Sequence, residues 1–342
     1  MVSIRGYNCR VEANRTHKIN TINSAKSSDN INVVVLAGGV GGAKLVDGFA
    51  QIVSTGKLTA IVNTGDDFRH LGLAISPDLD TVMYTLAGEA NAATGWGRRG
   101  ETWRTMEEVE HLGGPAWFRL GDLDLATHLM RTSLLEAGQT LSEVTAHLSR
   151  RLGVTHRVLP MSDDPAPTVV ECDEGMLPFQ RWFVEKSWQP PVKKIYLPDD
   201  VRATRAVMWA LEKADVVVIA PSNPFVSIDP ILNVYPIRAM IADLPDLVVA
   251  VSPIVGGDAV KGPAARMMRQ MGLEVTPLAV AEHYGDLVDL FVYDRLDEDV
   301  MQEAASAPER AYLCTDTLMH DPAGRRRLAN EILSQVMELT ES

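Results

Sequence analysis

Residues 32–44 read NVVVLAGGVGGAK. Val33, Val34, Val35 and Leu36 are β-branched or apolar and predict a buried strand. The run then breaks into Gly38, Gly39, Val40, Gly41 and Gly42, with a helix expected to begin near Ala43. Glycine has no Cβ, so such a turn can adopt positive φ and let a phosphate approach the backbone. The helix that follows offers unpaired N–H groups and the positive end of its dipole. The spacing is not that of a P-loop, since GxxxxGK[ST] is absent. Nor is it the full dinucleotide fingerprint, because Lys44 stands where the third glycine should be. That lysine argues for a different phosphorylated ligand, with Gly39, Gly41, Gly42 and Lys44 as its candidate contacts.

From this stretch outward, strands and helices alternate. LTAIVN (58–63), 215–220, 247–251, 290–293 and 311–314 read as buried strands, and so does 194–197. Helices are expected from 78 to 88 and over most of 101–150, and a hairpin over 168–184 with its turn at Glu174–Gly175. Apolar strands alternating with helices predict an α/β fold: a doubly wound, mainly parallel, Rossmann-like sheet with a helical insertion (about 85–150) and a small β-rich insertion with a hairpin (about 165–195). Residues 32–335 are expected to form a single α/β domain that carries both insertions. Residues 1–31 are polar and lack an apolar signal core, so they are expected to be a disordered extension.

The 342-residue chain carries a net charge of −13, which disfavours a nucleic-acid partner, because backbone-phosphate binding needs a basic face. An acidic protein handling a phosphorylated substrate needs a divalent cation to bridge like charges. The three cysteines are far apart, so neither a zinc site nor a disulfide framework is expected. No run is long and apolar enough for a membrane span. A cytoplasmic, reducing location follows as an expectation.

In an open parallel sheet, ligands bind beyond the carboxyl ends of the strands, so the loops there carry the candidate chemistry. Asn63-Thr64-Gly65-Asp66-Asp67 places two acids after a strand, both candidate metal ligands. In Ser76-Pro77-Asp78-Leu79-Asp80, Asp78 reads as a helix cap, whereas Asp80 is free to hold a cation or a substrate hydroxyl. Arg119 precedes a turn at Gly121-Asp122, after which Asp124, His128 and Arg131 fall at i, i+4 and i+7 on one helix face. Ser162 and Asp163 form a third polar loop. Ser222 and Asn223, between two prolines, are expected to face the ligand. Gly256, Gly257 and Lys261 read as a further anion site at a helix start.

Taken together, GGVGGAKL, NTGDD, SPDLDT, RLGDLDLATH, LPMSDDP, PSNP, VSPIVGG with VKGPA, and CTDTLM resemble, in order and spacing, the 2-phospho-L-lactate transferase family of coenzyme F-420 biosynthesis. The resemblance runs from about residue 32 to 335. It implies a Mg²⁺-dependent transferase that moves a phosphorylated three-carbon acid from a guanosine diphosphate-linked donor to the deazaflavin Fo, releasing GMP. The acid would be 2-phospho-L-lactate, phosphoenolpyruvate or 3-phosphoglycerate. In this family the second aspartate of PDLDT and the basic residue before LGD contact Fo, here Asp80 and Arg119. The resemblance also implies a homodimer. On this reading Asp80 and Asp67 are the candidate catalytic residues, and Asp66, Asp67 and Asp80 the candidate Mg²⁺ ligands. Asn63, Asp124, His128, Ser162, Asp163, Asn223, Gly256 and Lys261 join the substrate contacts. The gluconeogenesis-factor type, nucleotide-sugar-binding regulators that share the glycine turn and acidic pair, is the alternative.

Overall fold

The computed structural model describes residues 30–91, 94–245, 247–305 and 310–341. Most of the expected extension therefore lies outside the described residues. Ile31, at its end, is fully buried in the core.

In chain order the strands are β1 (Val33–Ala37), β2 (Leu58–Val62), β3 (Phe68–His70), β4 (Leu73–Ile75), β5 (Arg157–Pro160), β6 (Val169–Cys172), β7 (Gly175–Pro178), β8 (Lys194–Tyr196), β9 (Val216–Ile219), β10 (Leu247–Val251), β11 (Ile254–Val255), β12 (Asp258–Ala259), β13 (Leu290–Asp294) and β14 (Ala311–Thr315). The helices are α1 (Gly39–Ala50), α2 (Pro77–Leu86), α3 (Arg104–His111), α4 (Asp122–Glu136), α5 (Leu141–Arg151), α6 (Arg205–Glu212), α7 (Asp229–Asn233), α8 (Ile237–Asp243), α9 (Ala264–Gln270), α10 (Pro277–Tyr284), α11 (Glu298–Ala305) and α12 (Pro322–Glu341).

Seven strands make one sheet in the order β14-β13-β10-β9-β1-β2-β5. Every neighbouring pair is parallel. Alternation along each strand sends Val33, Val35 and Ala37 to one face and Val34 and Leu36 to the other. The first face packs against α1, α5 and α12 through Phe49, Val144, Leu148, Ile332 and Val336. The second packs against α6, α8, α9 and α10 through Leu211, Ile241, Met267 and Val280. Burial on both faces is why the central strands are continuously apolar rather than alternating. This is the expected Rossmann-like α/β architecture. From β1 the chain winds to β2 and β5 on one side, then returns to β9 on the other, so the order reverses between β1 and β9. The carboxyl ends of those two strands diverge there, and the crevice between them is where such sheets receive ligands. Among the described residues, no helix is long and apolar enough to cross a membrane.

The structure corrects four local readings. The first helix begins at Gly39, not near Ala43, so most of the glycine run is helix rather than loop. Residues 194–196 pair antiparallel with β6 in a small sheet ordered β7-β6-β8, largely exposed, instead of joining the core. The second hairpin strand stops at Pro178, and Arg181–Glu185 continues as a short wide helical turn. Short hairpins β3–β4 and β11–β12, and the edge strand β5, were not anticipated, because a few residues carry too little periodicity to register.

Helix α12 closes over α1 where Gly48 lies. A Cβ on Gly48 would collide with the backbone carbonyl oxygen of Arg325. Gly48→Ala is therefore expected to destabilise the fold by about 1–3 kcal/mol, the usual cost of overpacking. Thermal unfolding checks this, as a midpoint lowered by several degrees. An unchanged midpoint would mean that the two helices are not seated so closely.

Candidate functional site

Four loops meet at the crevice: the turn entering α1, the loop after β2, the start of α2 and the loop after β9. Buried hydrogen bonds join them. The Gly38 N–H donates to Ser222 Oγ at 3.1 Å, and the same hydroxyl donates back to the Gly38 carbonyl at 2.7 Å. The Gly39 N–H donates to Asp78 Oδ1 at 2.6 Å, and Asn63 Nδ2 donates to Asp78 Oδ2 at 2.9 Å. Asn63 Oδ1 accepts from the Gly65 N–H at 2.8 Å. Asp78 is thus not a helix cap but the tie between α2 and the glycine turn. Ser222, expected to face a ligand, is buried and committed to Gly38. Both side chains of Asn63 and Asn223 spend hydrogen bonds on loop structure as well, Asn223 by accepting from the Phe225 N–H at 3.0 Å.

The glycines have a second reason beyond phosphate approach. A Cβ on Gly41 would lie 2.5 Å from the Pro221 carbonyl oxygen, and one on Gly42 would lie 2.6 Å from Ser222 Oγ. The turn and the β9 loop touch backbone to backbone, which a side chain would prevent. Gly39 has φ +62°, the left-handed region that glycine tolerates. With the Gly39 N–H taken by Asp78, the N–H groups of Val40 and Gly41 remain, since the first turn of a helix has no internal acceptors for them.

Cations gather beside this turn. Lys44 is half-buried. Burial pushes its ammonium below the ordinary value, and the nearby charges of Arg325 and Lys261 push the same way. Lys261 Nζ donates to the Thr94 carbonyl at 2.9 Å. Crowded like charges around a helix N-terminus are relieved by an anion. Gly256 does not share this arrangement. Gly256 (φ +61°) and Gly257 (φ +76°) form the two-residue turn of the β11–β12 hairpin, and the Gly256 N–H is held by Asp297 Oδ2 at 2.9 Å. Turn chemistry explains the pair of glycines that the sequence reading gave to phosphate.

The acids lie in the loop after β2 and at the start of α2. Asp66 Oδ2 accepts from Gln180 Nε2 at 3.0 Å, and Asp67 Oδ2 accepts from the Ser76 hydroxyl at 2.6 Å. Asp67 Oδ1 is buried with no partner among the described residues. Burial raises the Asp66 carboxyl well above the ordinary range, and the charges of Asp78 and Asp67 add to the rise. Asp67 is likewise raised well above it by burial, against the Ser76 hydrogen bond and Arg131. Burial brings Asp78 up to about 6. Three buried acids with raised carboxyls, one with a bare oxygen, make an all-oxygen donor set that suits a hard divalent cation.

Asp80, whose charge also reaches Asp67, has a partner of its own. Arg131 bonds both of its carboxylate oxygens, Nη1 to Oδ2 at 3.0 Å and Nη2 to Oδ1. Asp124, His128 and Arg131 do share one face of α4 and converge on Asp80. His128 Nε2 lies 3.3 Å from Asp124 Oδ2, and the Tyr84 hydroxyl donates to Asp124 Oδ1 at 2.7 Å. An oxygen of Asp80, an oxygen of Asp124 and a nitrogen of His128 come within 4.8 Å of one another, but the Arg131 guanidinium already supplies the positive charge. Asp80, expected among the metal ligands, is therefore satisfied by an arginine, while Asp78 sits with the Asp66–Asp67 pair. Tyr84, Gln180 and Asp78 were missed as site residues. Tyr84 was findable, since it follows Asp80 by one helical turn on α2.

The other candidates lie apart. Ser162 Oγ donates to the Arg202 carbonyl at 2.6 Å and accepts from the Asp164 N–H at 3.0 Å. Asp163 Oδ1 accepts from the Ser142 N–H at 2.7 Å. These bonds hold loop structure on the β5 side. Arg119 is exposed, its guanidinium 5.0 Å above the Trp103 ring.

A family model described as 2-phospho-L-lactate transferase CofD matches residues 33–334. The chain is 38% identical over 306 residues to the 2-phospho-L-lactate transferase of Methanosarcina acetivorans, covering 88% of this chain and 98% of that one. It is 41% identical over 321 residues to the phosphoenolpyruvate transferase of Streptomyces coelicolor, covering 91% and 99%. Among solved structures, a UPF0052-family protein from Bacillus halodurans superposes with a TM-score of 0.59 at 20% identity, over 89% of this chain and 99% of that one. At that identity the likeness speaks for the fold.

The raised acids have a consequence for stability. Unfolded, these carboxyls ionise near 3.8; folded, Asp78 does so at about 6 and Asp66 and Asp67 are also raised. Across that window the folded chain binds more protons than the unfolded one, so their contribution to stability falls as pH rises and stays lost above it. With a chelator present, the thermal midpoint is expected to be lower at about pH 7.5 than at about pH 5, and Asp67→Asn to shrink the difference. An equal difference in both proteins would remove Asp67 as its source.

Proposed function

Because the chain belongs to the 2-phospho-L-lactate transferase CofD family, we propose that it joins a guanosine diphosphate-linked three-carbon acid to the deazaflavin Fo. Transfer of a phospholactate or phosphoenolpyruvate moiety is the activity of this family. The finer reading is supported by two features of the loops that meet at the crevice: a cationic turn (Lys44, Lys261 and the open N–H groups of α1), and an acidic loop whose Asp67 Oδ1 lacks a partner among the described residues.

In the reaction proposed, a ribityl hydroxyl oxygen of Fo bonds to the phosphorus bearing the three-carbon acid. The bond from that phosphorus to the GMP oxygen breaks, GMP leaves with the electron pair, and the proton of the attacking hydroxyl is released to water. Such a transfer depends on in-line placement and charge neutralisation rather than covalent help from the protein. Lys44, Lys261 and the α1 N-terminus bind the diphosphate. Asp67, supported by Asp66 and Asp78, would hold Mg²⁺, which would supply positive charge beside the diphosphate. Asp80 accepts a hydrogen bond from the attacking hydroxyl, and Arg119, backed by Trp103, flanks the deazaflavin ring.

The test is a coupled assay with Fo, GTP, Mg²⁺, a partner guanylyltransferase and each of the three acids in turn, with products followed by mass. One acid is expected to give product. No product with any acid, together with tight binding of UDP-sugars, would favour the nucleotide-sugar-binding regulator instead. Within the active system, Asp67→Asn is expected to lower turnover on the order of 100-fold, as loss of a key electrostatic group does. Lys261→Ala is expected to lower kcat/KM for the donor about tenfold to a hundredfold, the worth of one charge-assisted hydrogen bond. Wild-type kinetics in either variant would remove that residue from the site.

A further inference from the structure

Behind Asp80 lies a row of buried polar groups that the transfer chemistry does not by itself require. Arg131 is 1% exposed and His128 is 1% exposed. Arg131 Nη1 sits 3.0 Å from Asp80 Oδ2 and also 3.0 Å from His128 Nδ1. A guanidinium can only donate. His128 Nδ1 must therefore be the acceptor, which places the ring proton of the neutral tautomer on Nε2, the nitrogen facing Asp124 Oδ2 at 3.3 Å. The other oxygen of Asp124 accepts from Tyr84 at 2.7 Å. From Tyr84 through Asp124, His128 and Arg131 to Asp80 the polar groups form one buried row, in which His128 Nε2 faces Asp124 without closing a hydrogen bond.

This is a poor way to gain stability. Taking a carboxylate and a guanidinium out of water costs as much as their attraction returns, and well-packed apolar residues do as well or better. What the row does achieve is geometric. The two-pronged contact fixes the plane of the Asp80 carboxylate as well as its position. Each oxygen keeps a second lone pair for another donor. Burial raises the Asp80 carboxyl, and the Arg131 guanidinium pulls it back.

We propose that Arg131, itself oriented by His128, Asp124 and Tyr84, is a positioning residue that presents the Asp80 carboxylate to the attacking hydroxyl of the acceptor in a single orientation. This rests on the reading of Asp80 as the residue that meets the acceptor. It extends the site to side chains that touch no substrate.

The experiment compares wild type, Arg131→Lys and Tyr84→Phe in the coupled assay, with kcat and the KM of each substrate measured separately and thermal midpoints alongside. Wild-type turnover comes first; its absence overturns the proposed function and with it this inference. Given turnover, Arg131→Lys keeps the charge but loses the fork. It is expected to lower kcat about tenfold or more, with the KM of the guanosine diphosphate-linked donor unchanged. Tyr84→Phe removes only the far hydroxyl, and is expected to lower kcat severalfold with its midpoint near wild type. It remains informative if Arg131→Lys does not fold. Lower midpoints with unchanged kcat in the folded protein would make the row purely structural and overturn the proposal. So would a rise in donor KM without a fall in kcat.

Discussion

The hydroxyl of Ser222 bonds both the N–H and the carbonyl of Gly38, and the rest of the site depends on that contact. It ties the loop after β9 to the turn after β1, across the point where the strand order reverses. The approach is close enough that a methyl group on Gly41 or Gly42 would not fit. Asp78 extends the tie from the turn to α2, and Asn63 from Asp78 to the loop after β2. Each bond is worth only about 0.5–1.5 kcal/mol net, but a buried partner left unmet costs more. The loops therefore hold one another in place without a ligand, which spares binding the cost of ordering them.

Within that frame, charge is divided. Lys44, Lys261 and Arg325 crowd one side, while Asp66, Asp67 and Asp78 crowd the other. Arg325 is paired with Asp47 at 3.1 Å, while the lysines have no carboxylate of the acidic loop as partner among the described residues. Asp80 is treated differently: a buried arginine already balances it. Two aspartates two residues apart on α2 thus have unlike roles, one tying loops beside an unbalanced acidic cluster and one fixed by a guanidinium.

Much of the fold was legible in the residues, for local reasons. Runs such as VVVL and VVVI are apolar without alternation, which only a strand buried on both faces explains. Glycines after the first strand marked the strand-to-helix turn. The i, i+4, i+7 spacing of Asp124, His128 and Arg131 placed them on one helix face, since 3.6-residue periodicity is a property of the chain itself. Lys194–Tyr196 has the same apolar look on a smaller scale, yet it pairs at an exposed edge. Three residues cannot say which sheet they will join.

The sequence by itself determined the alternation of strands and helices, hence the doubly wound sheet and the edge where its loops converge. It also determined the family, through motifs that keep their order and spacing. The tertiary structure alone decided which polar atoms remain available. Asp78 looked like a cap and became a tie because a Gly39 N–H from another loop arrived 2.6 Å away. Asp80, expected among the metal ligands, is gripped by Arg131, 51 residues later in the chain. Gly256 and Gly257 looked like a phosphate cradle and serve a hairpin turn. In each case local pattern specifies what a residue can donate or accept. Only long-range packing determines which partner reaches it first, and so which groups are left for a ligand.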